Sequence, residues 1–241
     1  MAQKLPFKAV LFDCDGVLVD SEQITNGVLR VMLHELGWPV SPTECFTRFV
    51  GRSLKDEFGV IEEHTGVRVG PDWLAGFRRR RDAALAESLT EIPGAGAAVR
   101  ALSVAFAGRI ACASGADRGK VEMQLARVGL LELFAGRIFS GEEMPRSKPA
   151  PDVYLAAAAA LGVDPARSAV IEDTVTGARA GVAAGATVFG YCPPGSPAHG
   201  RPEPLLEAGA THIFTSMTDL PGLLTAPADL GSRVPGTRMI R

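Results

Sequence analysis

The sequence predicts an α/β protein, a doubly wound parallel sheet interrupted after its first strand by an inserted helical segment. Short apolar runs recur along the chain and several end abruptly in acids, serine or glycine, as buried strands feeding loops do. Stretches with helical character separate the later runs, and strand alternating with helix implies parallel pairing. Between residues 21 and 89 this alternation stops, and only amphipathic helical segments are legible.

Residues 8–12 form the first predicted strand, followed by 108–113, 137–140, 168–171 and 186–191, with 212–215 as a sixth at an edge. Helices are expected over 95–106, 120–128, 151–161 and 177–184, the third carrying an alanine run of high helix propensity. The insertion offers helices at 21–36, 43–49, 54–64 and 72–88, separated by Gly37-Trp38-Pro39, Gly51 and residues 66–71. Asp20 marks the outgoing crossing and Ile92-Pro93-Gly94 the return, giving a core of 1–19 and 91–241 and a helical unit of 20–90. Two crossings close together make a natural hinge. The basic run Arg78-Arg79-Arg80-Arg81 reads as a solvated helix face in preference to a functional patch. The tail from residue 225 onward, rich in Pro, Gly and Arg, is expected to be loosely ordered.

With 27 acidic and 25 basic residues the formal net charge is -2, so no overall positive field favours nucleic acid or an anionic membrane. A small-molecule partner is expected, and a monomeric protein. Cys14, Cys45, Cys112 and Cys192 form no C-x-x-C pair and sit mostly in apolar runs, as buried thiols of a reducing compartment do. Residues 1–8 lack a signal-peptide apolar region, and no run approaches the roughly 18 apolar residues of a membrane span. A cytoplasmic protein is expected.

In open α/β sheets the active crevice lies beyond the carboxyl ends of the strands. The first strand ends at Asp13 and Asp15, the second at Ser114 and Gly115, the loop after the third holds Lys148, and the fourth ends at Glu172 and Asp173. Four converging carboxylates require a cation, and an all-oxygen ligand set suits magnesium better than zinc. Lys148 adds a second positive charge, while Ser114 and neighbouring backbone N–H groups can donate to phosphate oxygens. Aspartate is a nucleophile for phosphoryl transfer, so Asp13 can attack and Asp15 can shuttle protons.

The ordered set Asp13-Cys14-Asp15-Gly16 with Asp20-Ser21-Glu22, Ala113-Ser114-Gly115, Ser147-Lys148-Pro149-Ala150-Pro151-Asp152 and Ile171-Glu172-Asp173-Thr174 resembles the four motifs of the haloacid dehalogenase-like hydrolase superfamily. The similarity runs from Phe12 to about Leu224, in the branch with a helical cap after the first strand. The resemblance implies a Rossmann-like core and an aspartyl-phosphate intermediate on Asp13. It implies metal binding by Asp13, the Asp15 carbonyl and Asp173 with Glu172, acid/base work by the Asp15 side chain, and phosphate binding by Ser114, Gly115 and Lys148.

Within that family the second aspartate, Asp15, argues against dehalogenases and phosphonatases. The β-phosphoglucomutase-like members are the rival reading, since they share the core motifs and this cap type. They typically carry a histidine where this chain has Thr25 and a cap-loop arginine at the position that matches Leu54, with Arg52 or Lys55 able to substitute if the loop shifts; both departures favour hydrolysis. Arg52 and Lys55, in the cap segment 51–56, are the candidates for substrate selection. The pattern resembles phosphatases of sugar phosphates and sugar-acid phosphates, including 6-phosphogluconate phosphatase-like proteins.

Several residues have plainer readings. Asp20 or Ser21 can cap the first inserted helix. Asp152 starts a helix and organises the Lys148 loop. Cys14 is expected to point away from the crevice, and His34, His64, His199 and His212 show no ligand spacing.

Overall fold

A computed structural model of the chain describes residues 5–50, 54–194 and 201–226. The expected loose tail, from residue 227 on, lies outside the described residues. The strands β1 (Ala9–Phe12), β2 (Ile110–Ser114), β3 (Ile138–Ser140), β4 (Ser168–Glu172), β5 (Thr187–Tyr191) and β6 (His212–Phe214) form one sheet. Their order is β3-β2-β1-β4-β5-β6, and every pairing is parallel. The order reverses between β1 and β4, the topological switch point at which such sheets bind ligands.

Alternate residues of each strand feed two cores. Val10, Phe12, Ile110, Cys112 and Ile171 pack with α5 (Ala95–Ala105), α6 (Arg118–Arg127) and α10 (Leu220–Thr225). Leu11, Ala111, Val170 and Val188 pack with α7 (Asp152–Ala160), α8 (Val175–Ala183) and α9 (Glu203–Glu207). Burial on both faces explains why these strands read as continuous apolar runs.

The insertion supplies α1 (Glu22–Glu35), α2 (Pro42–Phe49), α3 (Phe58–Thr65) and α4 (Pro71–Ser88). They enclose a third apolar cluster of their own, including Leu33, Trp38, Phe49, Ile61 and Phe77. Ser41 starts α2 by accepting from the Glu44 amide, with Pro42 in the first turn. The far end of α4 instead buries Leu85 in the sheet's core, beside Leu89. The two crossings run side by side, with Asp20 N–H donating to Thr90 and Ile92 N–H to Leu18, each at 3.0 Å.

Neither Asp20 nor Ser21 caps α1 through its side chain. Ser21 occupies the capping position in a helical conformation, and its hydroxyl turns to Asp15 instead. All four cysteines are buried. Among the described residues no helix is long and apolar enough to cross a membrane.

Candidate active site

Register brings the strand ends together. Phe12 pairs with Cys112 on one side and Ile171 on the other, so Asp13, one residue on, lies level with the ends of β2 and β4. Lys148 Nζ, on the loop after β3, donates to Asp13 Oδ1 at 2.9 Å and to Glu172 Oε1 at 2.7 Å. The Tyr154 hydroxyl reaches the same Glu172 oxygen at 2.6 Å, and Lys148 Nζ stands 4.8 Å from the Tyr154 ring centroid. The other Glu172 oxygen accepts from the amides of Asp173 and Thr174 and from the Thr174 hydroxyl. Glu172 is thus a fully enclosed carboxylate with donors on both oxygens.

Burial pushes the Lys148 ammonium down, but Asp13 and Glu172 beside it outweigh that and hold it well above the usual lysine range. Burial pushes the Asp13 carboxyl up, Lys148 pulls it back, and Glu172 and Asp15 push it up again, to about 7. Asp173 is also held well above the usual carboxylate range, by burial and then by the charges of Glu22, Glu172 and Asp13.

Asp13, Glu172 and Asp173 each offer a carboxylate oxygen, and these atoms lie within 4.8 Å of one another. All three residues are buried, and the donor set is oxygen only, which fits a hard cation. Such an ion would relieve the crowding that drives Asp13 and Asp173 toward their neutral forms.

Asp15 has a separate environment. Ser21 Oγ, Lys120 Nζ at 2.7 Å and Gln124 Nε2 at 2.9 Å all donate to its Oδ1. Burial raises the Asp15 carboxyl, but Lys120, Ser21 and Gln124 outweigh it and hold it near 2. Between the two aspartates, Cys14 turns into the core, with Sγ 3.6 Å from Gln124 Oε1, away from the crevice as its sequence position predicts.

Two glycines make room for the carboxylates. Gly16 has φ +75°, and a Cβ there would lie 1.9 Å from Asp173 Oδ2; at Gly177 a Cβ would lie 1.7 Å from Glu172 Oε1. Ser114 ends β2 with its hydroxyl accepting from the Ala116 amide at 3.1 Å, which leaves the hydroxyl proton for a ligand.

A cavity of about 220 Å³ separates the sheet from the insertion. Asp13, Asp15, Ser114, Gly115 and Lys148 line its floor, whereas Thr25, Leu54, Lys55 and Phe77 face it from the inserted helices. Of the two cap residues expected to select the substrate, Lys55 lines the cavity and Arg52 lies outside the described residues. Thr25 and Leu54, the positions expected to carry histidine and arginine in β-phosphoglucomutase-like members, both line the cavity.

The reading of residues 78–81 as a solvated face is corrected. Arg81 is 6% exposed and pairs with Asp117 at 3.0 Å, and Arg78 meets Glu142 through both carboxylate oxygens at 2.7 and 2.9 Å. Both arginines tie α4 to the core and line the cavity. Arg80 pairs with Glu35 within the insertion, and Arg79 is exposed.

Sequence reasoning also missed Lys120, Gln124 and Tyr154. The i, i+4 spacing of Lys120 and Gln124 places them on one face of α6, the only local signal available. Nothing local indicates that this face meets Asp15. Asp152 does start α7, and it holds Arg146 of the preceding loop at 3.0 Å.

A doubly wound sheet that sets the buried carboxylate after β1 beside those at the end of β4, at its switch point, defines an α/β protein of the Rossmann-like class with an acidic crevice. The chain belongs to the haloacid dehalogenase-like hydrolase family, whose model matches residues 7–185. It is 32% identical over 220 residues to the 6-phosphogluconate phosphatase of Escherichia coli (strain K12), covering 91% of this chain and 95% of that protein. It is 31% identical over 233 residues to the plasmid phosphoglycolate phosphatase of Cupriavidus necator, covering 94% and 96%. Among solved structures it resembles a HAD family hydrolase from Deinococcus radiodurans R1 with bound phosphate and sodium. That structure shares 38% identity at a TM-score of 0.73, over 93% of this chain and 100% of the other. The chain is a phosphoric monoester hydrolase.

Proposed function

We propose that this protein is a magnesium-dependent phosphatase of a small sugar phosphate or sugar-acid phosphate, acting through an aspartyl-phosphate on Asp13. The observation that carries the proposal is the division of labour between the two aspartates. Asp13 shares the Lys148 ammonium with Glu172 and lies beside Asp173, whereas Asp15 is gripped apart from them by three donors.

Asp13, the Asp15 carbonyl and Asp173, with Glu172 behind them, would hold magnesium, which when bound offsets the repulsion between carboxylates and phosphate. Lys148, the Ser114 hydroxyl and the Gly115 amide bind the phosphate oxygens. An Asp13 oxygen attacks phosphorus, the bond from phosphorus to the leaving oxygen breaks, and Asp15, ionised in the free site and protonated as the phosphate dianion enters beside it, gives that proton to the departing alkoxide. Asp15 then takes a proton from water, the water oxygen attacks the phosphoryl group, and the Asp13 carboxylate and inorganic phosphate are released.

The inserted helices, residues 20–90, act as a cap domain over the core of 1–19 and 91–241. Their separate apolar cluster and the paired crossings support this division. Arg52 and Lys55 select the leaving group. The two named relatives are phosphatases of phosphorylated hydroxy acids, which supports a leaving group carrying a carboxylate. Thr25 and Leu54 in the cavity wall support hydrolysis over the β-phosphoglucomutase-like alternative.

The test is phosphate release from p-nitrophenyl phosphate and from a panel of phosphorylated sugars, sugar acids and polyols, with and without magnesium. Release that requires magnesium and is absent in Asp13→Asn is expected. Isomerisation of β-glucose 1-phosphate to glucose 6-phosphate, faster than phosphate release, would replace the phosphatase reading with the mutase one.

A further inference from the structure

Lys120 is a lysine with almost no solvent around it. Its side chain is 8% exposed, and its ammonium is held by the Asp15 carboxylate at 2.7 Å. Placing an ammonium in such a position is costly unless a partner is fixed opposite it. The contact is more selective than charge pairing requires. Lys120, Gln124 and Ser21 all converge on Oδ1 of Asp15, and none of them engages Oδ2. Three donors from two elements on one oxygen fix the rotation of the carboxylate as well as its position, and they leave the second oxygen, on a residue that lines the cavity, to exchange a proton.

Lys120 is itself held from the other side. It is the third residue of α6, and its amide donates to Asp117 Oδ1 at 3.0 Å in the helix cap. The other Asp117 oxygen accepts from Arg81 of the inserted helix α4 at 3.0 Å. A continuous run of contacts thus joins the insertion to Asp15 through Arg81, Asp117, the first turn of α6 and Lys120.

We propose that Lys120 is a positioning residue for proton transfer, setting the orientation in which Asp15 presents Oδ2 to the leaving group, with the Arg81–Asp117 pair holding its helix end in place. The inference rests on the reading of Asp15 as acid/base. It differs from the role of Lys148, which touches the nucleophile itself. A lysine that bound phosphate would serve every substrate alike. In the steps up to departure of the leaving group, a lysine that orients the proton donor matters only where the leaving oxygen needs a proton, whereas the later attack of water is common to every substrate.

The experiment compares kcat/KM of the full chain, with magnesium, on p-nitrophenyl phosphate and on the best primary-alcohol phosphate of the panel. The p-nitrophenolate leaves without a proton, and kcat/KM reports the steps up to its departure. Lys120→Met, close in size and uncharged, is expected to lose roughly 10- to 100-fold on the alkyl phosphate and less than about threefold on the aryl one. Lys120→Arg should recover part of the alkyl activity. Equal losses on the two substrates, or no loss on the alkyl phosphate, would overturn the proposal. If Lys120→Met does not fold, Gln124→Leu decides in the same way, by a smaller loss confined to the alkyl phosphate or by none. A wild-type chain that releases phosphate from neither substrate, or an Asp13→Asn variant as active as wild type, would remove the phosphatase reading itself and this inference with it.

Discussion

Arg81, on the last inserted helix, and Asp117, at the start of α6, meet at 3.0 Å with the arginine side chain 7% exposed and the aspartate 23%. This ion pair joins two parts of the chain that the sequence separates by 36 residues. Removing the arginine leaves a half-buried carboxylate without its main cation. Arg81→Ala is expected to lower unfolding free energy by about 1–3 kcal/mol, read as a lower urea midpoint at neutral pH.

The same pair predicts a pH dependence. Burial raises the Asp117 carboxyl, but Arg81 and the Lys120 amide outweigh it, so the folded value lies below the ordinary 3.8. A carboxyl depressed in the folded state contributes stability above its unfolded value and loses it as pH falls through the folded one. The stability gap between wild type and Arg81→Ala should therefore narrow below pH 3.8. Denaturant titrations of both proteins at pH 7 and at pH 3 measure it, and an unchanged gap would count against the pairing.

Gly16 and Asp173 predict a second outcome. A methyl group at residue 16 would stand 1.9 Å from Asp173 Oδ2, and the backbone there has φ +75°. Gly16→Ala must move either the Asp173 carboxylate or the loop that carries Asp15. Phosphate release should fall by roughly 100-fold or more, with a stability loss of about 1–2 kcal/mol from the left-handed backbone alone. Near-normal turnover would show that Asp173 tolerates displacement.

The carboxylate cluster predicts that magnesium stabilises the fold. A ligand that binds only the folded state raises the melting temperature in proportion to RT ln(1 + [L]/Kd). Millimolar magnesium should raise the wild-type melting temperature, and the shift should be lost in Asp173→Asn, which keeps the shape of the side chain but gives up a negative ligand. Calorimetry without substrate reads this independently of turnover. An equal shift in both proteins would place the ion elsewhere.

Much of this architecture is legible in the chain itself. The runs that become β1, β2, β4 and β5 are buried on both faces, so their apolar character is unbroken and their ends stand out. The short helices α9 and α10, of five and six residues, escape sequence reading because they are too brief to show a period. The four arginines at 78–81 look alike in sequence. Arg78 and Arg81, about one turn of helix apart, face the core, Arg79 and Arg80 between them face outward, and the difference lies in what α4 packs against.

The sequence by itself determined the reaction class, because Asp13, Ser114, Glu172 and Asp173 each sit beside a strand end that local hydrophobicity marks out and, with Lys148 in the loop after the third strand, form an ordered motif set. The tertiary structure alone decided which charge answers which. That Lys148 serves Asp13 while Lys120, 105 residues from Asp15, serves Asp15 follows from β1 lying between β2 and β4 in a particular register. Hydrophobic patterning is a property of neighbours along the chain. An ion pair formed across the sheet depends on which strands become neighbours in space, and only the folded chain supplies that.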